Sequence, residues 1–358
     1  MGLKIAHVNY SLKVGGAEVL IAQLCRLYRE RGHSVEVHGL QHGGIIGDRL
    51  SREGFPVFVH GPGSRWHATR SLIRAFRRSR PDVVHCHNAL VTSWVVPAAR
   101  WAGVPVIVST RHGLVPPPFR YWRELQFACA SRWVKAVVGV CQATTSNLAL
   151  APFAARDRLI TIYNGASPAP QPVAPLDLPK RGFTLVYVGR LAAPKDFPTL
   201  LKALALVRTS RKDVFLWVVG DGVLRPSVEK LCAELGLNEA VTFWGERADT
   251  GAFFNAADLC VLSSKSEGLP ISLLEAMAAG RPVVAAAPGA VPEIVEGGRC
   301  GFVVPIGSVV GFAEAILRLA GDPSLCASLG AAARVHYLQQ FTAERMADRY
   351  LELYRTGK

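Results

Sequence analysis

Short apolar runs alternate with amphipathic segments along the first half of the chain. Segments with helical periodicity, such as 17–31, 69–78 and 121–133, lie between most of these runs. This alternation is typical of a parallel sheet with helices on both faces. The runs predict strands over 4–9, 34–40, 57–60, 82–87, 105–110, 136–141 and 159–163.

A second series of the same kind fills the other half. Between the two series, residues 167–179 contain five prolines in 13 residues, which predicts a stiff linker. We therefore predict a first Rossmann-like domain, a proline-rich linker, a second Rossmann-like domain and a terminal helix, over 1–167, 168–180, 181–340 and 341–358. Two such domains place the natural ligand site in a cleft, at the carboxyl ends of the strands. The second series predicts strands over 183–188, 214–219, 241–244, 259–262, 283–286 and 302–304.

Size and charge limit the number of domains and the kinds of partner that the protein can have. A chain of 358 residues suits two domains. The net charge is +14, of which residues 1–179 carry +12, because they hold 21 Lys and Arg against 9 Asp and Glu. Such a basic surface attracts nucleic acid, anionic lipid or phosphorylated substrates. The sequence shows no signal peptide, no apolar run of 18 residues and no C-x-x-C pair among eight cysteines, so we expect a cytoplasmic protein.

The segment 266–280 carries the strongest chemical signal. Its two carboxylates, Glu267 and Glu275, are separated by a Gly-Leu-Pro turn that predicts the start of a helix. The backbone N–H groups at such a start attract phosphate. Glu275 lies about one and a half turns into the helix, where it can accept hydrogen bonds from a ribose diol. The segment therefore predicts a nucleotide-sugar site.

Two further loops follow predicted strands. Gly15 and Gly16 open the first helix and allow close approach of a diphosphate, although a tight turn explains them equally well. Arg190 and Lys195 bracket a turn in the second half, where two cations can neutralise a diphosphate leaving group. An exposed basic loop is the alternative interpretation of that pair.

Together these segments resemble the retaining GT-B glycosyltransferases of family 4, also called glycosyl transferase group 1, over nearly the whole chain. The motifs are E-x(7)-E at 267–275, G-G-x-E at 15–18 and G-R-x(4)-K at 189–195. The family usually has glycine after the lysine, where this chain has Asp196. The resemblance implies the GT-B fold, an α/β architecture of two doubly wound Rossmann-like domains facing a central cleft. It also implies that the last helix crosses back to the first domain.

The resemblance further implies transfer of a hexose or hexosamine from a nucleoside diphosphate sugar to a glycan or lipid-linked acceptor. No D-x-D motif occurs, so no metal or other cofactor is expected. The residues implied to be catalytic are His112, Glu267, Arg190 and Lys195. The residues implied to bind the donor are Gly15, Gly16, Gly220, Gly222, Gly268, Leu269, Pro270 and Glu275.

Other features leave alternatives open. His85 and His87 share one face of a strand and could bind a metal, but the sequence reveals no third ligand, which favours packing near the strand end. The basic, aromatic segment 111–135 suits an anionic membrane surface. Nucleic acid would use a similar patch, but no nucleic-acid-binding module is recognisable. The rival functions are a sugar-nucleotide epimerase on the same fold and a basic nucleic-acid-binding protein.

Overall fold

A computed structural model describes residues 2–13, 15–61, 64–114, 121–151, 155–167, 178–247 and 249–355. Residues 168–177 of the predicted linker lie outside these ranges, as do Phe119 and Arg120 of the basic segment. The chain divides into two compact units. The first comprises Met1–Gly165 together with Ala343–Lys358, and the second comprises Ala166–Thr342.

The first unit is built on a seven-stranded parallel sheet with the order β3-β2-β1-β4-β5-β6-β7. Its strands are β1 (Lys4–Ser11), β2 (Ser34–His42), β3 (Val57–Val59), β4 (Val83–His87), β5 (Val106–Arg111), β6 (Ala136–Gly139) and β7 (Leu159–Thr161). Its helices are α1 (Gly16–Glu30), α2 (Ile45–Arg52), α3 (Arg65–Ser79), α4 (Ala89–Trp101), α5 (Tyr121–Ser131) and α6 (Gln142–Ala149).

The second unit is built on a six-stranded parallel sheet with the order β10-β9-β8-β11-β12-β13. Its strands are β8 (Phe183–Val188), β9 (Val214–Val219), β10 (Val241–Gly245), β11 (Leu259–Leu262), β12 (Val283–Ala286) and β13 (Gly301–Val304). Its helices are α7 (Phe197–Ser210), α8 (Arg225–Glu234), α9 (Thr250–Ala256), α10 (Ile271–Ala278), α11 (Val291–Val295), α12 (Val309–Gly321) and α13 (Pro323–Gln340).

These sheets confirm the predicted α/β class of two Rossmann-like domains. Every predicted strand is present, with ends that differ by no more than two residues. The central strands are buried on both faces, which explains why their sequences read as continuous apolar runs. Helix α3 begins four residues before the predicted start, because the Ser64 hydroxyl caps it by accepting a hydrogen bond from the His67 N–H.

The last helix, α14 (Ala343–Arg355), belongs to the first unit and packs against α1. The Tyr354 hydroxyl lies 2.6 Å from His85 Nδ1, and the Tyr350 hydroxyl lies 3.0 Å from Thr110 Oγ1. Both tyrosines are buried. The chain therefore closes the core of its first sheet with a segment that follows the entire second unit.

Three helices of the first unit, α3, α4 and α5, lie side by side and share one apolar core with the sheet. Their other sides are exposed and unusually rich in tryptophan and arginine. None of the helices in the described ranges combines the length and the apolar character that crossing a bilayer requires.

Candidate functional site

The loop between β11 and α10 carries Glu267, which the resemblance implies to be catalytic, and α10 itself carries Glu275, which it implies to bind the donor. The sequence predicted Pro270 as the first helical residue, but it is the N-cap, with α10 beginning at Ile271. Its extended backbone (φ −73°, ψ 117°) accounts for this one-residue correction. Gly280 follows the helix with a φ of 69°, as its predicted stop requires. Leu269 is buried, so its side chain packs in the interior of the unit.

Lys195 and Glu267 form an ion pair in the second unit. Lys195 Nζ donates to Glu267 Oε1 at 2.5 Å, and both side chains are mostly shielded from solvent. Two more hydrogen bonds fix the loops that carry them: Ser263 Oγ donates to the Lys195 carbonyl at 2.8 Å, and the Lys265 N–H donates to the Pro194 carbonyl at 2.7 Å. The structure thus brings together two residues that are 72 positions apart in the sequence.

Asp196 keeps the loop in the shape that glycine would give it. Its φ of 49° and ψ of 51° lie in the left-handed region, which asparagine and aspartate tolerate better than other residues with a Cβ. Its carboxylate accepts a hydrogen bond from Thr199 Oγ1 at 2.7 Å and pairs with Lys265 Nζ at 3.1 Å. Asp196 thus adopts a conformation that glycine would take without strain.

The glycines after β8 and β9 allow two loops to touch through their backbones. A Cβ on Gly220 would lie 2.0 Å from the Gly189 carbonyl oxygen, and one on Gly222 would lie 2.4 Å from the Leu191 carbonyl oxygen. Neither contact is possible for a residue with a side chain unless the backbone shifts. Gly220 and Gly222 thus hold the loop with Arg190, which is exposed, in place.

Glu275 is partly buried on α10. No hydrogen bond to its carboxylate occurs within the described ranges. Burial raises the pKa of Glu275 to about 7. A largely desolvated carboxylate without a hydrogen-bond donor is unfavourable, and a ligand that offers hydroxyl donors would compensate for it.

In the first unit, Gly15 is the N-cap of α1, and Gly16 is its first residue. A Cβ on Gly15 would lie 2.4 Å from Glu18 Oε2, whereas one on Gly16 would meet nothing within 4 Å. Glu18 also accepts a hydrogen bond from Asn9 Nδ2 at 2.8 Å. The glutamate of the G-G-x-E motif thus folds back over the start of its own helix, a role that the sequence analysis did not assign to it.

His112, immediately after β5, lies at one end of a row of histidines. His112 Nε2 lies 2.9 Å from His87 Nδ1, and His87 Nε2 lies 3.1 Å from His7 Nδ1. The ring of His85 stacks on that of His87, with centroids 4.3 Å apart. His85 is held in turn by Thr110 Oγ1 at 2.7 Å and by the Tyr354 hydroxyl.

Burial keeps all four imidazoles neutral. It lowers the pKa of His7 to about 3 and that of His112 to about 4. The pKa values of His85 and His87 also lie well below the ordinary value, first because of burial and then because of the neighbouring histidines. At neutral pH each ring therefore has one N–H donor and one bare nitrogen acceptor.

The sequence reveals no third ligand for His85 and His87, but the structure places His7 beside them. His7, His85 and His87 offer ring nitrogens that all lie within 4.8 Å of one another. His7 faces His85 in the parallel pairing of β1 with β4. The Rossmann strand order, which places the first strand beside the fourth, was the available signal. Both nitrogens of His85 and of His87 already lie at hydrogen-bonding distance from protein groups.

Comparison with known proteins identifies the fold and the family. Residues 182–322 match the family described as Glycosyl transferases group 1, and residues 14–169 match the one described as Glycosyltransferase Family 4. EpsD of Bacillus subtilis (strain 168), named as a glycosyltransferase, is 30% identical over 305 residues, covering 78% of this chain and 79% of its own. This chain belongs to the group 1, family 4 glycosyltransferases.

The glycosyltransferase is also related to enzymes of lipopolysaccharide core biosynthesis. The core biosynthesis glycosyltransferase LpsD of Rhizobium meliloti (strain 1021) is 28% identical over 364 residues, covering 99% of each chain. Among solved structures, Anabaena HepE in complex with UDP-glucose matches with a TM-score of 0.87 at 24% identity, covering 98% of each chain. The likeness to HepE confirms the GT-B fold.

Proposed function

We propose that this glycosyltransferase moves a hexose or hexosamine from a nucleoside diphosphate sugar to a glycan or glycolipid acceptor in the cytoplasm, with retention of configuration and without a metal. The observation that carries the proposal is the arrangement around α10. A lysine–glutamate pair lies just before the helix start. About one turn further on lies Glu275, a partly buried carboxylate that accepts no hydrogen bond from the part of the chain that the structure describes.

The second unit would bind the donor in three parts. The diphosphate would lie against Arg190, Lys195 and the N–H groups at the start of α10, because positive charge and the start of a helix both attract phosphate. The ribose hydroxyls would donate to Glu275, which then gains the partners it lacks. The base would lie near Gly220 and Gly222. Because backbone groups would contact it there, the side chains do not reveal whether the base is uracil or guanine.

The chemistry would follow from the charge on the leaving group. The bond from the anomeric carbon to the diphosphate oxygen breaks, negative charge grows on the diphosphate, and Arg190 and Lys195 meet that growing charge. The acceptor oxygen bonds to the same face of the anomeric carbon, and its proton passes to the departing phosphate oxygen. Glu267 would hold the sugar next to Lys195, and His112 would contact a sugar hydroxyl.

The exposed side of α3, α4 and α5 supports an acceptor at an anionic membrane. Its four tryptophans are 60–76% exposed, and Arg100 lies 5.2 Å from the Trp133 ring centroid. Exposed tryptophan beside arginine suits the boundary between lipid and water. We call this surface the tryptophan–arginine face. It consists of Trp66, Arg70, Arg74, Arg77, Arg100, Trp101, Trp122, Arg123, Arg132 and Trp133.

A thermal-shift panel tests the donor. UDP, GDP, UDP-glucose, UDP-N-acetylglucosamine and GDP-mannose are added separately, because a ligand of the folded state raises the unfolding temperature. One nucleotide series should stabilise the protein, and the same sugar nucleotide should then be consumed only when an acceptor is present. Conversion of the donor sugar without any acceptor would indicate an epimerase. No stabilisation by any nucleotide would contradict the proposal.

A further inference from the structure

The hydrogen bonds from His7 through His87 to His112 restrict which nitrogen of each ring carries the proton. Each neutral ring has one N–H, and each of the two contacts needs one donor and one acceptor. Only two arrangements satisfy both contacts. Either every ring donates from Nδ1 toward His112, or every ring donates from Nε2 toward His7. The tautomer of His112 is therefore coupled to that of His87.

The ends of the row favour one arrangement. Among the residues that the structure describes, neither His7 Nε2 nor His112 Nδ1 has a hydrogen-bond partner, and both atoms are buried. His7 is fully buried, whereas His112 as a whole is partly exposed. An unpaired buried N–H is rarer in proteins than an unpaired acceptor. The bare nitrogen therefore belongs at the closed His7 end, and the unpaired N–H belongs at His112 Nδ1, in the residue that is partly exposed and would need a ligand as its acceptor.

The surroundings hold the rings in this orientation. His85 stacks on His87 and is itself fixed by Thr110 and the Tyr354 hydroxyl. The backbone N–H of His112 donates a hydrogen bond to Asn88 Oδ1 at 3.3 Å. Rotation of the His87 ring would break two hydrogen bonds inside the core, and each such break leaves buried polar atoms unpaired.

We propose that His87, backed by His7, is a positioning residue that fixes His112 as the Nδ1–H tautomer, so that His112 donates a hydrogen bond to a hydroxyl of the transferred sugar. The sugar in this statement rests on the proposed function, but the tautomer does not. A site that hydrogen-bonds a substrate hydroxyl discriminates against the analogue that lacks it. His87 would thus determine selectivity for the donor sugar through His112, without contacting the sugar itself.

Nitrogen-15 NMR of the histidine side chains tests the tautomer in the ligand-free protein. His112 should be protonated on Nδ1 and bare on Nε2, and His112→Asn identifies its signals. His87→Gln places an amide where Nε2 was, so it keeps a partner for His7 and loses the contact with His112. In that variant the Nε2–H form of His112 should appear. His67→Gln, on the exposed side of α3, is the matched control and should change nothing.

Kinetics with monodeoxy donor sugars tests the consequence. The wild-type enzyme should use one monodeoxy donor about three- to tenfold less well than the parent sugar, and His87→Gln should lose this preference. The Kd of the bare nucleoside diphosphate should stay unchanged. An Nε2–H tautomer in the wild type overturns the proposal, as does stoichiometric Zn²⁺ binding that shifts the His7, His85 and His87 signals together. A correct tautomer without sugar transfer would refute only the proposed function.

Discussion

Lys195 Nζ and Glu267 Oε1 lie 2.5 Å apart, although the two residues follow different strands of the second sheet. Strands β8 and β11 are neighbours, and the carboxyl ends of parallel strands meet at one edge of a sheet. Each side chain therefore neutralises the other. A diphosphate that binds Lys195 would compete with Glu267 and leave that carboxylate available to the sugar.

The first prediction concerns nucleotide affinity at Glu275. Glu275→Ala should raise the nucleotide dissociation constant about ten- to hundredfold, since a hydrogen bond to a charged group contributes roughly 1.5–3 kcal/mol. Isothermal titration calorimetry on the folded variant checks this. Glu229→Ala, on the exposed side of α8, is the control. An unchanged nucleotide affinity in Glu275→Ala would show that this carboxylate does not bind the ribose.

The second prediction concerns stability and pH at the same residue. The folded pKa of Glu275 is about 7 against an ordinary 4.5, so its favourable contribution is complete below 4.5 and is lost as the pH rises through 7. At about 1.4 kcal/mol for each pH unit between those values, this loss is about 3 kcal/mol at pH 8. Glu275→Gln should therefore stabilise the empty protein at pH 8 while it weakens nucleotide binding. Urea unfolding at pH 5 and pH 8 measures the difference, and a Glu275→Gln variant less stable than wild type at pH 8 would contradict it.

The third prediction concerns the leaving group. Arg190→Ala and Lys195→Ala should lower kcat more than they weaken binding of the bare nucleoside, because they meet charge that grows in the transition state. Lys202→Ala, an exposed lysine on α7, should behave like wild type. EDTA should leave the wild-type rate unchanged. Activity lost on chelation and restored by Mg²⁺ would show that a metal takes part.

The fourth prediction concerns the left-handed residue after Lys195. Asp196→Ala should lower the free energy of unfolding by about 1–3 kcal/mol, because it keeps the strain of a positive φ and removes the partner of Thr199. Asp196→Gly should lower it less, since glycine adopts this conformation without strain. Chemical denaturation of both variants gives the comparison. Equal losses would mean that the backbone conformation contributes nothing.

The fifth prediction concerns the tryptophan–arginine face. Liposomes with anionic lipid should co-sediment the protein, whereas neutral liposomes should not, and binding should weaken as salt rises. Changing Arg100, Arg123 and Arg132 to Gln should reduce the binding.

Changing Arg181, Lys202 and Lys212 to Gln removes the same charge from the second unit and is the control. If both triple variants lose the same amount of liposome binding, the binding depends on net charge and not on the tryptophan–arginine face. Steeply salt-dependent binding to random DNA in place of lipid would favour nucleic acid.

The sequence predicted what depends on local pattern. Strand positions follow from apolar runs, whereas the contact between Lys195 and Glu267 was not predicted, because it depends on β8 and β11 being neighbours in the sheet. The row of histidines was missed because it depends on the register between β1 and β4, which sets His7 opposite His85. No local pattern encodes that register. The raised pKa of Glu275 could not be predicted either, because it depends on burial by residues that are distant in the sequence.

The position of α14 has a consequence for synthesis on the ribosome. The second unit is one continuous segment, whereas the first unit needs Ala343–Arg355 to place Tyr350 and Tyr354 against Thr110 and His85. At roughly 5–20 residues per second, α14 emerges about 10–40 s after the rest of the first unit. The half of the enzyme made first is thus completed only after the second unit, and its histidines gain their final neighbours when α14 has been made.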